Sequence, residues 1–340
     1  MKKSFLCCVV ATLALTSCYT PEALYLETFS PEESGLNLVK VTDEANNTVI
    51  AGVAKIDYGT DYTLTQWGYN RFTQYCWSTL RALDVSPDGK SIAYITRMNK
   101  LDNIMVRGTS AVGMATQRTF RNVGSFSWGK NGKLYFSDYV GGNNYICSVN
   151  ATAGSMMNQH TNGSVSDTWP TLSEDGKTLY FVRASSSGPS IWSVNLDNGT
   201  LTSCARGYNP CLIPGDPDAF YCIRNSSSGR SELWYVNYVK GQESLVLSEE
   251  YRSFTNPCLS PDGKWILLVG NSVSTISHKH NLDIFVVRTD GSNLTQLTYH
   301  PQNDTSPVWA KDGRSIYFIS SRANESQSYN IWRMNFNLNE

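Results

Sequence analysis

The sequence is poor in charged residues and in histidine. Asp, Glu, Lys and Arg make up 17% of the chain, against roughly 25% in a usual soluble domain, and only 4 of the 340 residues are histidine. The net charge is -1, so the chain lacks the positive surface that binding to nucleic acid or to an anionic membrane surface requires. Aromatic residues reach 12%, a content that excludes a disordered chain.

Several catalytic and cofactor motifs are also absent. The sequence has no Gly-x-Ser-x-Gly elbow of a hydrolase, no Cys-x-x-Cys pair, no phosphate-binding loop and no dinucleotide fingerprint. We therefore predict no cofactor and no metal. His278 and His280 could share a metal ion, but no third ligand lies near them in the sequence.

The chain lacks an apolar run long enough to cross a membrane. Its amino terminus has a basic start and an eleven-residue apolar core at positions 5–15, whereas a spanning helix needs about 20 residues. Residues 1–17 are therefore typical of an export signal. Leu15-Thr16-Ser17-Cys18 resembles the lipobox of bacterial lipoproteins, which implies lipidation of Cys18, and the alternative is an ordinary secretory signal. We predict a lipidated tether over 18–35 and an extracytoplasmic protein of the bacterial cell envelope, held on the outer membrane by the lipid anchor only.

Six cysteines remain once Cys7, Cys8 and the predicted lipidation site Cys18 are set aside. An even number in an exported chain permits disulfides without requiring them. Cys211 and Cys222 would face each other in a hairpin centred on the turn Gly215-Asp216-Pro217-Asp218. They form either a cross-strand disulfide or, as we favour, two buried thiols.

The sequence repeats one pattern six times. Each copy has a short apolar run, an Asp-Gly-like turn and a second apolar run, at residues 83–96, 126–138, 170–183, 210–224, 257–270 and 307–321. A third apolar strand follows each pair, and in three copies its second position is a tryptophan, Trp192, Trp234 and Trp332, which we expect to pack between repeats. Most copies add a fourth strand. This pattern predicts an all-β fold, a six-bladed β-propeller of four-stranded antiparallel blades spanning residues 36–340.

The last repeat has no fourth strand after its third strand ends near Asn335. Residues 36–44 resemble the fourth strand at 292–300, so we expect this N-terminal strand to close the sixth blade and leave the ring without a free edge. Residues 46–78 fit no repeat. They are an irregular insertion or cap, or part of an irregular seventh blade.

The run DIFVVRTDGSNLTQLTYHPQNDTSPVWAKDGRSIYFISSR at 283–322 resembles the TolB-type propeller repeat. It has a strand, an Asp-Gly turn, a Leu-Thr ending, an Asp-Thr-Ser-Pro segment and the next hairpin. The resemblance covers residues 79–340 and 36–44. It implies a six-bladed propeller in the bacterial envelope that binds a partner at one mouth of its central channel.

The longer connections of a propeller of this kind share one face, and we expect binding there. On that face we predict ligand contacts from large aromatic or charged side chains, namely Asp167, Trp169, Tyr208, Tyr251, Arg252, His300 and Asp304. These side chains could instead cover the rim of the barrel. Asp167 and Asp304 could bind a cation or a positively charged peptide, or cap turns through backbone hydrogen bonds.

The leading functional hypothesis is a non-enzymatic, lipid-anchored envelope propeller that binds a protein or peptide partner. The alternative is a propeller enzyme, a lyase or hydrolase acting on polysaccharide or peptide, that uses His300 or the His278 and His280 pair with a carboxylate at the channel mouth. A third possibility is a purely structural component of the envelope.

Overall fold

The chain folds into a ring of β-sheets. The computed structural model describes residues 33–43, 49, 80–110, 114–152, 156–227, 230–250, 252–273, 280–323 and 328–337. These residues form six four-stranded antiparallel sheets, which confirms the predicted six-bladed propeller. The leader, Cys18 and most of segment 46–78 lie outside the described residues. None of the helices that the structure describes is both long and apolar enough to cross a bilayer.

The strands are numbered β1 to β24 in chain order, and five of the blades are continuous in sequence. The first strand, β1, is Val39–Lys40. Blade 1 contains β2 (Leu83–Val85), β3 (Ser91–Met98), β4 (Leu101–Gly108) and β5 (Thr116–Gln117); blade 2 contains β6 (Val123–Trp128), β7 (Lys133–Val140), β8 (Asn143–Asn150) and β9 (Asn158–Gln159); and blade 3 contains β10 (Asp167–Leu172), β11 (Thr178–Arg183), β12 (Ser190–Asn195) and β13 (Leu201–Arg206). Blade 4 contains β14 (Tyr208–Ile213), β15 (Asp216–Asn225), β16 (Ser231–Asn237) and β17 (Gln242–Leu247); blade 5 contains β18 (Phe254–Leu259), β19 (Trp265–Val273), β20 (His280–Arg288) and β21 (Thr295–Gln296); and blade 6 contains β22 (Asp304–Trp309), β23 (Ser315–Ser320), β24 (Asn330–Asn335) and β1. We call the end of the ring that carries the turns between first and second strands the hairpin face. The opposite end, which carries the second-to-third and the blade-to-blade connections, is the loop face.

The turn between the first two strands of a blade is held by its own side chains. In blade 1, Asp88 Oδ1 accepts hydrogen bonds from Ser86 Oγ at 2.6 Å and from the Lys90 N–H at 3.0 Å. Gly89 has a φ of 72°, a left-handed conformation that costs a glycine little. The same Ser-to-Asp bond recurs at Ser173 and Asp175 and at Ser260 and Asp262.

The fourth hairpin forms with a different turn from the one predicted. Ile213 pairs with Asp216, so the turn residues are Pro214 and Gly215, and Gly215 has a φ of 81°. A proline followed by a residue of positive φ is the usual composition of a type II turn. The hairpin therefore survives without an Asp-Gly pair, two residues earlier than the sequence suggested.

The core lies mainly between neighbouring blades. One cluster joins Tyr135 and Ile146 of blade 2 to Phe181 of blade 3, and the next joins Tyr180 of blade 3 to Phe220 of blade 4. All five side chains are at least 99% buried, and burying a large apolar side chain contributes about 1.5–3 kcal/mol. Each blade is therefore stabilised by its neighbours.

The tryptophans of the third-strand column contribute to these clusters, as expected. Trp192 packs at the contact of blades 2 and 3, Trp234 at that of blades 3 and 4, and Trp332 is buried between blades 5 and 6. Each also lies under an arginine guanidinium at 4.8–6.0 Å from the ring centroid. The column is thus an element of blade packing.

The ring closes as predicted, through the segment that precedes the first blade. β1 is the fourth strand of blade 6, and it pairs antiparallel with β24 through Val39 and Arg333 and through Lys40 and Trp332. The Val41 N–H donates to the Ile331 carbonyl at 2.8 Å. The outer edge of β24 is therefore covered by the chain's own amino-terminal part.

A buried ion-pair network, which we call the clasp, fixes the residues just ahead of β1. Arg322 donates to both carboxylate oxygens of Glu33, at 2.9 and 3.1 Å, and also to Asp304 at the start of β22. The Tyr299 N–H donates to Glu33 at 2.7 Å. Since all three charged side chains are at least 99% buried, removing one partner leaves uncompensated charge in the core.

A further carboxylate, Asp283, lies beside the clasp. It is 1% exposed and accepts hydrogen bonds from Ser272, Asn281, Gln296 and Thr298. Burial, and then the charges of Asp304 and Glu33, hold the pKa of Asp283 well above its usual value. Burial also raises the pKa of Asp304, to about 6, although Arg322 opposes this shift.

We predict that Val41→Pro weakens ring closure. The substitution removes the N–H that bonds Ile331, so we expect the free energy of unfolding, measured by urea denaturation, to fall by about 1–3 kcal/mol. Hydrogen bonding alternates along an antiparallel strand, which turns the Lys40 N–H away from β24. Lys40→Pro is therefore the matched control, and we expect it to lower the free energy of unfolding by less than Val41→Pro does. An equal loss of stability in both variants would show that β1 does not close the ring.

We predict that the stability of the protein falls as the pH rises from about 4 through about 6. Folding raises the pKa of Asp283 and of Asp304, so their contribution is fully present below the pKa of the unfolded chain, near 4, and is lost as the pH rises through the raised values. We expect a loss of roughly 1–3 kcal/mol in urea denaturation.

The variant that tests this pH dependence is Asp283→Asn, in which the free energy of unfolding should change less steeply with pH. The control is Asp88→Asn, because the exposed Asp88 carboxyl has a pKa that its hydrogen bond from Ser86 lowers and does not titrate in this range. Identical slopes in the two variants would contradict the assignment to the buried carboxylates.

Candidate functional site

The central channel contains a cavity that opens at the hairpin face. Its volume is about 400 Å³. All six innermost strands, or the turns that follow them, contribute to its wall, including Asp84, Trp128, Leu172, Ile213, Leu259 and Trp309. Most of this wall is apolar, with charged groups at a few positions, which is the usual composition of a ligand site.

A bulge in four innermost strands shapes the channel. Trp169, Asn209, Asn256 and Ser306 each precede a proline and have φ values of 49–55°. The pairing of each strand with its neighbour shifts at this point. Proline has no N–H to donate at this point of the strand, and the part of each strand that follows the bulge lines the cavity.

Residues 80–82 lie across the channel at the floor of this cavity. The Leu80 carbonyl accepts hydrogen bonds from Asn256 Nδ2 at 3.3 Å and from Ser306 Oγ at 3.1 Å. The Phe126 N–H donates to the Arg81 carbonyl at 3.2 Å. The segment thus contacts blades 2, 5 and 6, so the chain itself occupies the channel between the cavity and the loop face.

The side chain of Arg81 continues this bridge to blade 3. Its Nη1 donates to Thr171 Oγ1 at 3.3 Å, and its Cζ lies 5.3 Å from the ring centroid of Trp169. Arg81 is partly exposed and belongs to the cavity wall. The guanidinium therefore presents a positive charge at the floor of a largely apolar cavity.

The carboxylates of the cavity are engaged elsewhere. Asp84 accepts the Trp128 N–H at 2.7 Å and its neighbour's N–H at 2.8 Å. Glu174 pairs with Lys130 and accepts the Gly215 N–H at 2.9 Å. Within the described part of the chain, no ion pair joins Arg81 to a carboxylate.

Two cysteines in the wall are thiols with little reactivity. Cys211 and Cys258 hold the same position in the Asn-Pro-Cys-Leu stretch of β14 and of β18, and both are free. Burial raises the pKa of Cys211 to about 12 and raises that of Cys258 as well. Neither thiol is thus ionised at neutral pH, which excludes an activated nucleophile here.

Cys211 and Cys222 do not face each other, and both are buried free thiols, the favoured alternative. Cys211 pairs with Tyr221, because the register of β14 and β15 shifts between Leu212 and Ile213, next to the turn. Cys222 is one residue further along β15, and adjacent residues of a strand point to opposite faces of the sheet.

A second groove adjoins the cavity on the same face. It lies between blades 3 and 4, has a volume of about 260 Å³ and shares Glu174, Leu212 and Ile213 with the cavity wall. Asp175 and Asp216 also line it. The hairpin face therefore has a continuous recess that leads outwards from the channel.

The predicted carboxylates Asp167 and Asp304 are ion-paired inside the protein. Asp167 makes two hydrogen bonds with Arg183, at 2.8 and 2.9 Å, and Asp304 belongs to the clasp. Both are 0% exposed. Each neutralises an arginine of its own blade, an arrangement distinct from the backbone caps or the ring of free carboxylates that the sequence suggested.

The other predicted site residues are also mostly buried. Trp169 supports Arg81 from outside the cavity wall, while the Tyr208 hydroxyl bonds Asn225 and Ser231. Arg252 donates to the Asn271 carbonyl and covers the ring of Phe285. His300 is 1% exposed, and its Nδ1 accepts the Gln302 N–H at 3.2 Å.

The structure does not gather these predicted residues at the cavity. Tyr251 lies outside the described residues, and the wall of the cavity contains none of the other six. Their role in binding a ligand stays a prediction. Arg81 was not predicted, because it lies two residues ahead of the first repeat and the repeat pattern gives no signal there.

The described residues also include no cluster of three or more His, Cys, Asp or Glu side chains that could hold a metal ion. The nearest approach to a catalytic pair is Ser148 Oγ and His160 Nε2, 2.8 Å apart. Ser148 is 0% exposed, and burial lowers the pKa of His160. This pair lies in the interior of the protein, away from the cavity wall.

Comparison with known proteins agrees with the fold. The family described as TolB beta propeller domain matches residues 225–339. A TolB homolog of Chlorobium luteolum is 28% identical over 156 residues, which are 45% of this chain and 34% of that protein. The chain thus aligns with about a third of the length of this relative.

Solved structures extend the likeness to most of the ring. The putative TolB of Agrobacterium tumefaciens superposes with a TM-score of 0.58 at 18% identity, covering 76% of this chain and 90% of that one. An oligogalacturonate lyase of Vibrio parahaemolyticus superposes with a TM-score of 0.54 at 11% identity, covering 88% of this chain and 97% of that one. At such identities both superpositions speak to the fold alone.

Proposed function

We propose that this chain, a TolB-type six-bladed β-propeller, binds a protein or peptide partner in the bacterial cell envelope through the cavity of its hairpin face. The observation that carries the proposal is the cavity itself, which combines an apolar wall with one cation at its floor. A volume of about 400 Å³ suits a few side chains of an extended peptide.

The closed ring favours binding because the lining is already ordered. Each innermost strand is hydrogen-bonded to its neighbour along the blade, and the blades are packed against one another. Association would then immobilise few residues of the propeller, which reduces its entropic cost. A flexible peptide would supply most of the ordering.

The hairpin face is favoured over the loop face by the position of residues 80–82. The sequence pointed to the loop face because its connections are longer. However, the Leu80 and Arg81 carbonyls are hydrogen-bonded to three blades inside the channel, so a partner arriving from the loop face would meet the chain itself. Contacts with Tyr251 or Arg252 on that face would be peripheral to the cavity.

Binding is also a better fit to the site than catalysis. The cavity wall holds no histidine, and its two thiols have raised pKa values. A lyase or hydrolase would need an accessible group to move a proton, and His160 and His300 lie elsewhere. The likeness to an oligogalacturonate lyase concerns the fold, so it lends the enzyme hypothesis no residue of this site.

We also propose that Cys18 is lipidated and holds the propeller on the outer membrane. The support is the lipobox-like stretch Leu15-Thr16-Ser17-Cys18 after a basic and apolar leader. Glu33 is bound to the ring through Arg322, so at most 14 residues separate the anchor from the fold.

We predict that photo-crosslinking captures a partner from the hairpin face. A photoreactive phenylalanine analogue at Lys311, in the cavity wall, should crosslink to an envelope protein in intact cells. The same analogue at Tyr139, 51% exposed at the tip of β7 on the opposite face, is the matched control. Capture from position 139 and none from position 311 would place the partner on the loop face and refute the proposal.

We predict that Cys18→Ala releases the protein from the membrane fraction. The acyl chains would be absent, and each buried CH₂ contributes about 0.8 kcal/mol to the anchor. Incorporation of a labelled fatty acid measures the loss of acylation, and cell fractionation measures the release from the membrane. Cys76→Ala is the control; a Cys18→Ala protein that still sediments with membranes and carries label would rule out this anchor.

A further inference from the structure

Arg81 carries a charged side chain at the floor of the cavity and joins several blades at once. Its backbone carbonyl is bonded to blade 2 and its guanidinium reaches blade 3. The side chain makes a single described hydrogen bond, to Thr171, whereas a guanidinium has five N–H donors. Most of its hydrogen-bonding capacity is therefore free for a ligand or for water.

The surroundings leave this charge without a counterpart in the described residues. Asp84 is held by two backbone N–H groups, and Glu174 is held by Lys130 and Gly215. Lys311 at the rim is exposed and adds a second positive charge. The cavity thus presents net positive charge to whatever occupies it, and its apolar wall strengthens that field by excluding water.

The orientation of Arg81 suits a carboxylate. Trp169 lies under the guanidinium at 5.3 Å and Thr171 holds one of its nitrogens, which limits the rotamers the side chain can adopt. A fixed, planar guanidinium binds a carboxylate through two parallel hydrogen bonds. Trp169 would therefore act as a positioning residue without touching the ligand.

We propose that the cavity recognises a peptide carboxylate, either a carboxyl terminus or an Asp or Glu side chain, which binds to Arg81. The adjacent apolar side chain of the peptide packs against Trp128, Leu259 and Trp309. This inference rests on the proposed binding of a peptide at the hairpin face and adds the chemistry that the site selects.

The test uses three pools of random heptapeptides, and their retention by the immobilised full-length protein is measured by mass spectrometry. The first pool has free carboxyl termini and no Asp or Glu, the second is the same pool with amidated termini, and the third is amidated but contains Asp and Glu. We expect the first or the third pool to be retained roughly tenfold better than the second, since a charge-assisted hydrogen bond contributes about 1.5–3 kcal/mol.

Substitution of Arg81 should remove this preference. Arg81→Met keeps the length of the side chain without its charge, and Arg81→Gln is also neutral but retains a donor to Thr171, so it serves if the first variant fails to fold. Lys90→Met is the matched control because this exposed lysine lies in a turn of the hairpin face, outside the wall of the cavity. Lys90→Met should keep the roughly tenfold preference, whereas both Arg81 variants should retain the three pools equally.

Three results would overturn the inference. Equal retention of all pools by the wild-type protein would show that peptides bind without carboxylate recognition, and the proposed function would survive. An unchanged preference in a folded Arg81 variant would assign the carboxylate to another residue. Retention of no pool at all would remove both the inference and the proposed peptide binding.

Discussion

Closure of the ring is the constraint on which the rest of the structure depends. Each blade buries its large side chains against the next one, as Tyr180 does against Phe220, so no blade has a complete core alone. The ring is joined where β1 pairs with β24 and Arg322 binds Glu33. These contacts link residues about 290 positions apart in sequence, and they hold the six innermost strands at the distances that define the cavity.

The repeat pattern was sufficient to predict the fold because it reports local chemistry. The Asp-Gly turns, with bonds such as Ser86 to Asp88, depend on neighbouring residues alone. The same is true of the short apolar runs that mark the strands. The similarity of 36–44 to a fourth strand also predicted the closure, since the sixth blade lacked that strand and an exposed edge is unfavourable.

The site was harder to predict because it depends on contacts between distant parts of the chain. Loop length suggested the loop face, yet the hydrogen bonds of Leu80 to Asn256 and Ser306 place the chain across the channel there. Asp167 and Asp304 resemble free carboxylates in the sequence, and only the fold brings Arg183 and Arg322 to them. The register shift between Leu212 and Ile213 likewise moves the partner of Cys211 by one residue, from Cys222 to Tyr221, which no turn pattern reveals.

The clasp also determines how the ring responds to mechanical load. Among the described residues, Glu33 is the first whose contacts tie the amino-terminal part of the chain to the propeller, and its carboxylate is enclosed between blades 5 and 6. Tension applied to the chain ahead of Glu33 would therefore be resisted first by the guanidinium of Arg322 and only afterwards by the short ladder between β1 and β24. Drawing that carboxylate out requires water to enter the core, so the join between the last blade and the first segment is protected from a steady pull.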